Sequence, residues 1–314
     1  MRDTFIARLE RMAIANPRVF FITGDLGFGV IDRFTQRFPR QFLNVGVAEQ
    51  NMTGLATGIA LEGRVVFTYS IGNFPTLRCL EQLRNDAAYH SANVKVVCIG
   101  GGFSYGPLGM SHHAMEDLAI MRALSIPTIA PGCDWEAGEA TEAVAAYPGT
   151  CYLRLDKSSA GNTGRPREHF LIGKARVLRD GSDVTLIATG GILGVALKCA
   201  DELSTKMNLA CRVLSMHTVH PLDTDAVLAA ARETGGIVTV EEHTIHGGLG
   251  SSVAETCLDA GVAPAAFKRV AFRDGLPSIV GSQTYLRQRY SMDERAVTAA
   301  VESVVRGAAE VYGA

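Results

Sequence analysis

One acidic residue, Glu49, stands near the start of a long apolar stretch, AEQNMTGLATGIALEG. The apolar residues that follow it recur at helical spacing, at Met52, Leu55, Ala56, Ile59 and Ala60. A helix this poor in charge is buried on more than one side, so a carboxylate at its head needs a dedicated partner. The alternative is an acid that only caps its own helix, because acids are favoured in the first turn. The first interpretation makes Glu49 the leading candidate for the chemistry of this protein.

Two adjacent histidines, His112 and His113, lie in a glycine-rich stretch, GGGFSYGPLGMSHHAMEDLAIMR. The acidic residues Glu116 and Asp117 follow them, a composition that invites a metal site. Side chains at consecutive positions diverge, however, and no third ligand has suitable spacing, so we expect no metal ligands here. A neutral imidazole donates or accepts a proton near pH 7, which fits His112 for proton transfer.

Alternating strands and helices must position these side chains. Short buried strands are predicted at residues 19–23, 42–44, 65–69, 94–100, 128–130 and 150–155, with helices between most of them. This order predicts a mostly parallel sheet covered on both faces, whose ligand crevice lies at the carboxyl ends of the strands. Asp25, Glu49, Phe74 and His112 all follow predicted strands, so they are expected to meet at that edge.

A second unit begins after a stretch rich in Gly, Ser, Pro and charge, KSSAGNTGRPRE. Strands at 183–189, 210–215 and 236–241 then alternate with helices at 194–207 and 224–234. We therefore predict two three-layer α/β domains, at residues 1–157 and 169–314, joined by a linker at 158–168. In the first domain Gly54 and Gly58, four residues apart, allow another backbone to approach the predicted helix.

The composition excludes several classes of function. Lys and Arg number 30 against 32 Asp and Glu, and this balance gives no electrostatic case for binding nucleic acid or an anionic membrane. Hydrophobic runs are far shorter than a membrane span, and the amphipathic start has no signal-peptide core. The seven cysteines lack CxxC spacing, which favours buried thiols in a reducing compartment over a zinc site. We expect a cytoplasmic protein.

The wording around Glu49, GVAEQNM followed by a helix of small residues, resembles the signature of the pyrimidine-binding domain of transketolase-like thiamin diphosphate enzymes. The resemblance implies that Glu49 bonds a ring nitrogen of the cofactor's aminopyrimidine and thereby activates it. Phe74, in NFPTLRCLEQLR, matches the aromatic residue that stacks on this ring in the family. The alternative for Phe74 is a core residue that packs the top of its helix.

The resemblance also implies residues for substrate binding. His112 matches the histidine of a Gly-x-Ser/Thr-His-Gln motif that touches substrate oxygens and moves protons, and His113 takes the place of the glutamine. Lys157 falls where the family often has an arginine that grips a substrate phosphate, with a solvated linker lysine as the alternative. Arg154 is either a substitute for that arginine or a brace for the linker. Leu108 replaces an aspartate that faces a donor hydroxyl, a departure that leaves the donor open.

The same family implies a partner chain. Asp25, in GDLG, only mimics the Gly-Asp-Gly…Asn motif for magnesium and diphosphate, because Leu26 replaces the middle glycine and Asn51 lies inside the Glu49 helix. We therefore expect Asp25 to line the crevice near the thiazolium, or to cap the following segment. Mg²⁺ and the diphosphate are expected on an N-terminal, pyrophosphate-binding subunit, in a two-plus-two heterotetramer.

The second domain carries VEEHTIHGGLGSSVAE, which resembles the C-terminal domain of the same enzymes. Gly247, Gly248 and Gly250, at the start of its predicted helix, either bind an anion or allow close packing. His220, His243 and His246 receive no role.

The resulting prediction is the C-terminal subunit of a split transketolase, which transfers a two-carbon ketol unit from a ketose or ketose phosphate to an aldose. The enzymatic alternatives are the beta subunit of a 2-oxo-acid dehydrogenase decarboxylase and a deoxyxylulose-phosphate-synthase-like acyloin enzyme. A non-catalytic scaffold that kept the fold is the alternative from another class.

Overall fold

The computed structural model describes residues 1–165 and 167–312, with side chains described up to residue 307. Position 166 of the predicted linker and positions 313–314 of the predicted second domain therefore lie outside the described residues. Two α/β domains follow one another along the chain, as the alternation of strands and helices predicts.

The first domain is built on a parallel sheet in the order β5-β6-β4-β3-β1-β2. Its strands are β1 (Val19–Thr23), β2 (Phe42–Asn44), β3 (Val65–Ile71), β4 (Val94–Ile99), β5 (Thr128–Ile129) and β6 (Cys151–Leu155). The central strands β4 and β6 are buried along their whole length. Burial on both faces is typical of parallel sheets covered by helices, so the predicted fold class is confirmed.

The second domain holds a five-stranded sheet in the order β12-β11-β8-β9-β7. The strands after β6 are β7 (Arg176–Arg179), β8 (Val184–Thr189), β9 (Cys211–Ser215), β10 (Thr218–His220), β11 (Ile237–Thr244) and β12 (Phe267–Phe272). Strand β10 leaves this domain and pairs antiparallel with β5 at the edge of the first sheet. The two domains therefore share a sheet edge, although β10 lies well inside the range predicted for the second domain.

Helices cover both faces of each sheet. They are α1 (Arg2–Ala15), α2 (Asp32–Arg37), α3 (Glu49–Leu61), α4 (Leu80–Gln82), α5 (Asp117–Ala123), α6 (Asp134–Ala146), α7 (Leu193–Met207), α8 (Thr224–Glu233), α9 (Leu249–Asp259), α10 (Gln283–Arg289) and α11 (Glu294–Tyr312). Helix α4 continues into a π-helical stretch, Leu83–Ala88. Among the described residues, every helix is too short or too polar to cross a membrane.

Two apolar cores hold the first sheet. On one face α1 and α6 pack over an aromatic group in which the Phe5 and Tyr69 rings stack with centroids 6.0 Å apart. On the other face α3 buries Met52 and Ala56 against the sheet strands. Helix α3 is thus held along its buried side, which fixes Glu49 at the carboxyl edge of the strands.

The segment between the domains is packed rather than free. Ala160 N donates to Gly132 O at 2.9 Å, and Asp134 N donates to Gly161 O at 3.0 Å. At Gly164 an added Cβ would lie 2.3 Å from the Trp135 ring, so only glycine fits there. Gly164 therefore serves close packing, whereas Gly161 has φ 76°, a left-handed conformation that favours glycine. The segment is thus less independent of the two domains than its composition predicts.

A carboxylate of the protein itself binds the glycine-rich start of α9. The Glu241 carboxylate, which is fully buried, accepts hydrogen bonds from Leu249 N and Gly250 N, both at 2.7 Å. An added Cβ at Gly248 would lie 2.2 Å from Glu241 Oε2. These helix N–H groups are therefore satisfied by a side chain of the protein, and close packing is the correct alternative for these glycines.

Candidate active site

The functional candidates lie in loops that leave the carboxyl ends of parallel strands. Asp25 follows β1, Phe74 follows β3, His112 follows β4, and Lys157 follows β6, while Glu49 begins α3 after β2. Because parallel strands end at a common edge, these loops lie along the side of the sheet where the ligand crevice is expected. Contacts among their side chains form a continuous row from Glu49 to Lys157.

Glu49 is buried at the head of α3, with 1% of the residue exposed. Arg78 Nη1 donates to Oε2 at 2.7 Å, and Ser70 Oγ donates to Oε1 at 3.2 Å. Gly24 lies alongside, where an added Cβ would reach within 3.4 Å of Oε1. The carboxylate therefore has the dedicated partner that its burial requires, and its hydrogen bonds go to side chains of another segment.

Phe74 and His112 form the middle of the row. Their ring centroids are 5.1 Å apart at 71°, an edge-to-face arrangement. The Arg78 guanidinium lies over the Phe74 ring, with Cζ 4.8 Å from the centroid. Phe74 is half-buried rather than sealed in the core, so one part of its ring stays available to a ligand.

His112 is held by its neighbour. Its Nδ1 lies 2.9 Å from Ser111 Oγ. A hydroxyl donates or accepts equally well, so this contact is compatible with either tautomer of the imidazole. Nε2 is the nitrogen left for a substrate oxygen, either as donor or as acceptor.

Lys157 ends the row. Its Nζ lies 3.6 Å from the centroid of the Tyr105 ring, and that ring is 6.3 Å from His112. Lys157 is exposed and lines a cavity of about 300 Å³ together with Arg2 and Ile99. Partial burial lowers the pKa of the lysine from its ordinary value. The aromatic face holds the ammonium beside the crevice without neutralising it.

Asp25 stands at the rim. It is exposed, its Oδ1 accepts from Asn44 Nδ2 at 3.1 Å, and its N donates to Asn44 Oδ1 at 3.0 Å. The residue has φ 58°, a left-handed conformation that aspartate tolerates better than most residues. Helix α2 begins only at Asp32, so the capping alternative for Asp25 is wrong.

His113 does not reach the crevice. Only 1% of the residue is exposed, its Nε2–H donates to Gly106 O at 3.2 Å, and its ring packs edge-to-face on Phe103. Burial lowers the pKa of this imidazole, which keeps it neutral. Consecutive side chains diverge here as expected, and the divergence places His113 in the interior, against its predicted contact with substrate.

Arg154 is also withdrawn from solvent. Its side chain is 2% exposed, and Nε lies 3.4 Å from Asp117 Oδ2 and 3.5 Å from Asp156 Oδ1. These distances allow charge pairing, although the Nε–H is not aligned for a hydrogen bond. Nη2 donates to Glu242 O of the second domain at 2.8 Å. Arg154 therefore braces the contact between the two domains rather than the linker, and its burial is at odds with substrate binding.

Three contributors were missed by sequence reasoning: Ser70, Arg78 and Tyr105. Arg78 lies four residues after Phe74, one helical turn, in the stretch NFPTLRCLEQLR. That spacing was the available signal, because a cation one turn from an aromatic residue faces the same side. Ser70 and Tyr105 carry no comparable signal, since their partners Glu49 and Lys157 are distant in the chain.

The described residues fit one half of a thiamin diphosphate site. Glu49 offers a carboxylate to a ring nitrogen, and Phe74 offers a half-buried face for stacking. In the part of the chain with described side chains, no three His, Cys, Asp or Glu residues are grouped as metal ligands. Glu49 and Phe74 are thus suitable partners for the aminopyrimidine end of the cofactor.

Comparisons with known proteins agree with this geometry. Residues 1–162 match the family described as "Transketolase, pyrimidine binding domain", and residues 173–297 match "Transketolase, C-terminal domain". Among curated relatives, the 6-deoxy-6-sulfo-D-fructose transketolase subunit of Clostridium sp. (strain MSTE9) is 35% identical over 97% of this chain and 94% of its own length. An apulose-4-phosphate transketolase subunit of Phocaeicola vulgatus is 35% identical over 81% of this chain and 82% of its own length.

Solved structures give the same result. A chain described as "Split gene transketolase, inactive beta4 tetramer" superposes with a TM-score of 0.86 at 32% identity, over 97% of both chains. Transketolase from Campylobacter jejuni superposes with a TM-score of 0.81 at 18% identity, over 96% of this chain and 46% of that one, which shows the shared fold. These names support a transketolase over the dehydrogenase and synthase alternatives. The chain belongs to the transketolase family, with the domain content of the C-terminal subunit of a split transketolase.

Proposed function

We propose that this chain is the cofactor-activating half of a two-subunit transketolase that moves a two-carbon ketol unit from an anionic ketose to an aldose. The observation that carries the proposal is the buried carboxylate of Glu49, which Arg78 links to the half-buried ring of Phe74 at the carboxyl edge of the sheet. A buried charge is costly, and its position at the mouth of a ligand crevice points to a role in binding or proton transfer.

Thiamin diphosphate, when bound, would supply a nucleophilic carbon for cleaving and re-forming the bond next to a ketose carbonyl. Glu49 would hold a proton at the aminopyrimidine ring nitrogen, and its burial would strengthen that hydrogen bond. Phe74 would stack on this ring. Asp25 borders the crevice next to Gly24. Gly24 in turn lies alongside Glu49.

The remaining crevice residues act on the substrate. His112 donates a proton to, or accepts one from, a substrate hydroxyl through Nε2 while Ser111 holds Nδ1. Lys157 attracts the charged end of the ketose. Two relatives are named for ketoses with a sulfo group or a phosphate, and both groups are anionic. Leu108, which is 55% exposed on the same loop as His112, offers no hydrogen bond to a donor hydroxyl.

Lys157 gives the first prediction. Replacement of Lys157 by Met should raise KM for a phosphorylated or sulfonated ketose by about tenfold to a hundredfold, because a charged hydrogen bond is lost. The effect on kcat should be smaller, since the charge lies away from Glu49. Lys157→Arg should retain most of the affinity, and KM for a neutral ketose should not change. Steady-state kinetics with matched charged and neutral donors measures KM and kcat. An equal rise in KM for both donors would contradict the assignment of Lys157 to the charged end of the ketose.

The partner is an N-terminal subunit that binds Mg²⁺ and the diphosphate, in an assembly with two copies of each chain. Several apolar side chains around the crevice are exposed: Phe28, Val47, Leu77, Leu108 and Met110. Exposed apolar patches of this kind favour a protein interface. On α3, Gly54 and Gly58 face open space, because an added Cβ at either position would meet no atom within 4 Å. Packing among the described residues does not require these glycines.

The glycine face of α3 gives the second prediction. Replacement of Gly54 and Gly58 by Ala should raise the free energy of unfolding of the chain by roughly 1 kcal/mol per site, because alanine favours the helix. The same change should weaken assembly with the N-terminal subunit, since the added methyl groups hold the other backbone away. Gly307→Ala in α11, also with open space around it, is the matched control and should stabilise without affecting assembly. Urea unfolding and sedimentation measure the two quantities; unchanged assembly would contradict this interface.

The experiment that tests the function as a whole uses the natural complex. The tagged chain is recovered from a lysate of its own organism, and the mass of any co-purifying subunit is determined together with the thiamin diphosphate content. The complex is then assayed for ketol transfer from phosphorylated and sulfonated ketoses to aldoses. About one cofactor per pair of chains and transfer without release of carbon dioxide is the expected result. A lone chain that ignores added thiamin diphosphate and Mg²⁺ would contradict the proposal.

We also propose a cytoplasmic location. All seven cysteines lie at described positions, and all are free and buried. Unpaired thiols are typical of proteins in a reducing compartment.

A further inference from the structure

Arg78 contacts both side chains that the cofactor ring would use. Its Nη1 donates to Glu49 Oε2 at 2.7 Å, and its Cζ lies 4.8 Å from the centroid of the Phe74 ring. The second oxygen of Glu49 accepts from the neutral Ser70 hydroxyl at 3.2 Å, its one hydrogen bond within the described part of the chain. Arg78 is therefore the cation that compensates the buried carboxylate in this chain.

The two members of the ion pair differ in exposure. The Glu49 side chain is 1% exposed, whereas 45% of the Arg78 side chain is exposed. Glu49 belongs to the first turn of α3, where its backbone carbonyl also accepts from Thr53 Oγ at 3.0 Å. The carboxylate is thus fixed, while the arginine can turn outward into water at small cost. If the pair opens, Arg78 is the member that moves.

A guanidinium and an aminopyrimidine make similar demands on a site. Both are planar, both present N–H groups in the plane, and both stack on aromatic rings. In the proposed function the aminopyrimidine bonds Glu49 and stacks on Phe74, which are the two contacts that Arg78 makes here. One carboxylate oxygen and one ring face do not accommodate both groups in these positions.

We propose that Arg78 occupies the place of the aminopyrimidine in the cofactor-free subunit and is displaced when the cofactor binds. This proposal rests on the proposed function. Arg78 is a positioning residue: it pairs with the Glu49 carboxylate and holds Phe74 in its stacking orientation until the ring arrives.

Two consequences with opposite signs follow for Arg78→Met. The cofactor-free chain should unfold at a lower urea concentration, because a buried carboxylate loses its charged partner. The complex with the N-terminal subunit should bind thiamin diphosphate about three- to thirtyfold more tightly, since a competing ion pair and cation–π contact are gone. A purely structural arginine would weaken both quantities, and an arginine that only binds substrate would change KM and leave cofactor affinity unaltered.

The test is calorimetric titration of thiamin diphosphate into the assembled complex, with Mg²⁺, for wild type, Arg78→Met and Arg78→Lys. Lysine keeps the charge but loses the planar fork, so its affinity should lie between the other two. Arg84→Met is the matched control, because Arg84 lies in the following helical stretch and bonds only to Asn85 among the described residues. Wild-type binding with equal or weaker binding by Arg78→Met would overturn the Arg78 proposal alone. Failure of the wild-type complex to bind the cofactor would overturn the proposed function and this inference with it.

Discussion

Replacement of Glu49 by Gln should lower ketol transfer by the assembled enzyme by about a hundredfold to ten-thousandfold, the range typical of a lost general acid or base. Glutamine keeps the shape and one hydrogen-bond acceptor, but its amide does not share a proton with the aminopyrimidine. Assembly should persist, because Glu49 lies in the crevice and Arg78, at 45% exposure, can be solvated when its partner is neutral. The measurement is turnover at saturating thiamin diphosphate.

A readout that does not depend on turnover separates cofactor activation from later steps. Exchange of the thiazolium proton of bound thiamin diphosphate with deuterated water should slow in Glu49→Gln by a factor similar to the loss of turnover. Ser70→Ala is the matched control, because it removes only a neutral hydrogen bond of 3.2 Å and should cost less than about tenfold. If Glu49 were only a capping acid, the variant would lose some stability and keep its exchange rate, contrary to our expectation.

Replacement of Arg154 by Leu should destabilise the chain by about 3–5 kcal/mol, the cost of removing one partner from a buried group of charges. Asp117 and Asp156 would be left without their cation, with side chains 0% and 2% exposed. Arg154 Nη2 also donates to Glu242 O, so the variant would lose a contact between the domains. Urea unfolding of the chain measures the loss. Unchanged stability with a raised KM would instead restore the substrate-binding assignment.

The loss should depend on pH in a defined direction. Burial raises the pKa of Asp156 above its ordinary value, and Arg154 opposes that rise. Without Arg154 the pKa of Asp156 in the folded chain rises further. As the pH rises above about 4, Asp156 therefore loses its proton in the unfolded chain before it does so in the folded chain. Stability relative to wild type should therefore fall as pH rises, with a smaller deficit at pH 5 than at pH 8. Arg179→Leu, which opens an exposed pair with Asp201, is the control and should cost about 0–1 kcal/mol at either pH.

Local pattern in the sequence was sufficient to predict most of the secondary structure. The strands ending at Thr23, Asn44 and Leu155 were predicted to the same final residue, because short apolar runs bounded by turn residues are a strong signal in a buried parallel sheet. The order of the elements then fixed the edge at which the loops meet. The motif around Glu49 was specific enough to predict the family.

Contacts between distant segments were decided only by the tertiary structure. The sequence predicted that Glu49 has a partner but did not identify it as Arg78, because this pairing joins α3 to the loop after β3. Strand β10 pairs with the first sheet, although along the chain it lies among elements of the second domain. It does so because the edge of β5 is available for pairing.

Burial separated residues that looked alike in the sequence. His112 borders the crevice and His113 is sealed beside Phe103, because consecutive side chains diverge and only the fold decides which one turns inward. Lys157 is exposed at the end of β6, while Arg154, three residues earlier, is buried among carboxylates between the domains. The sequence by itself determined the family and the order of the strands along the chain, and it supplied Glu49 as the leading candidate for the chemistry. The tertiary structure alone decided which charges pair, because the desolvation that makes pairing necessary depends on everything packed around them.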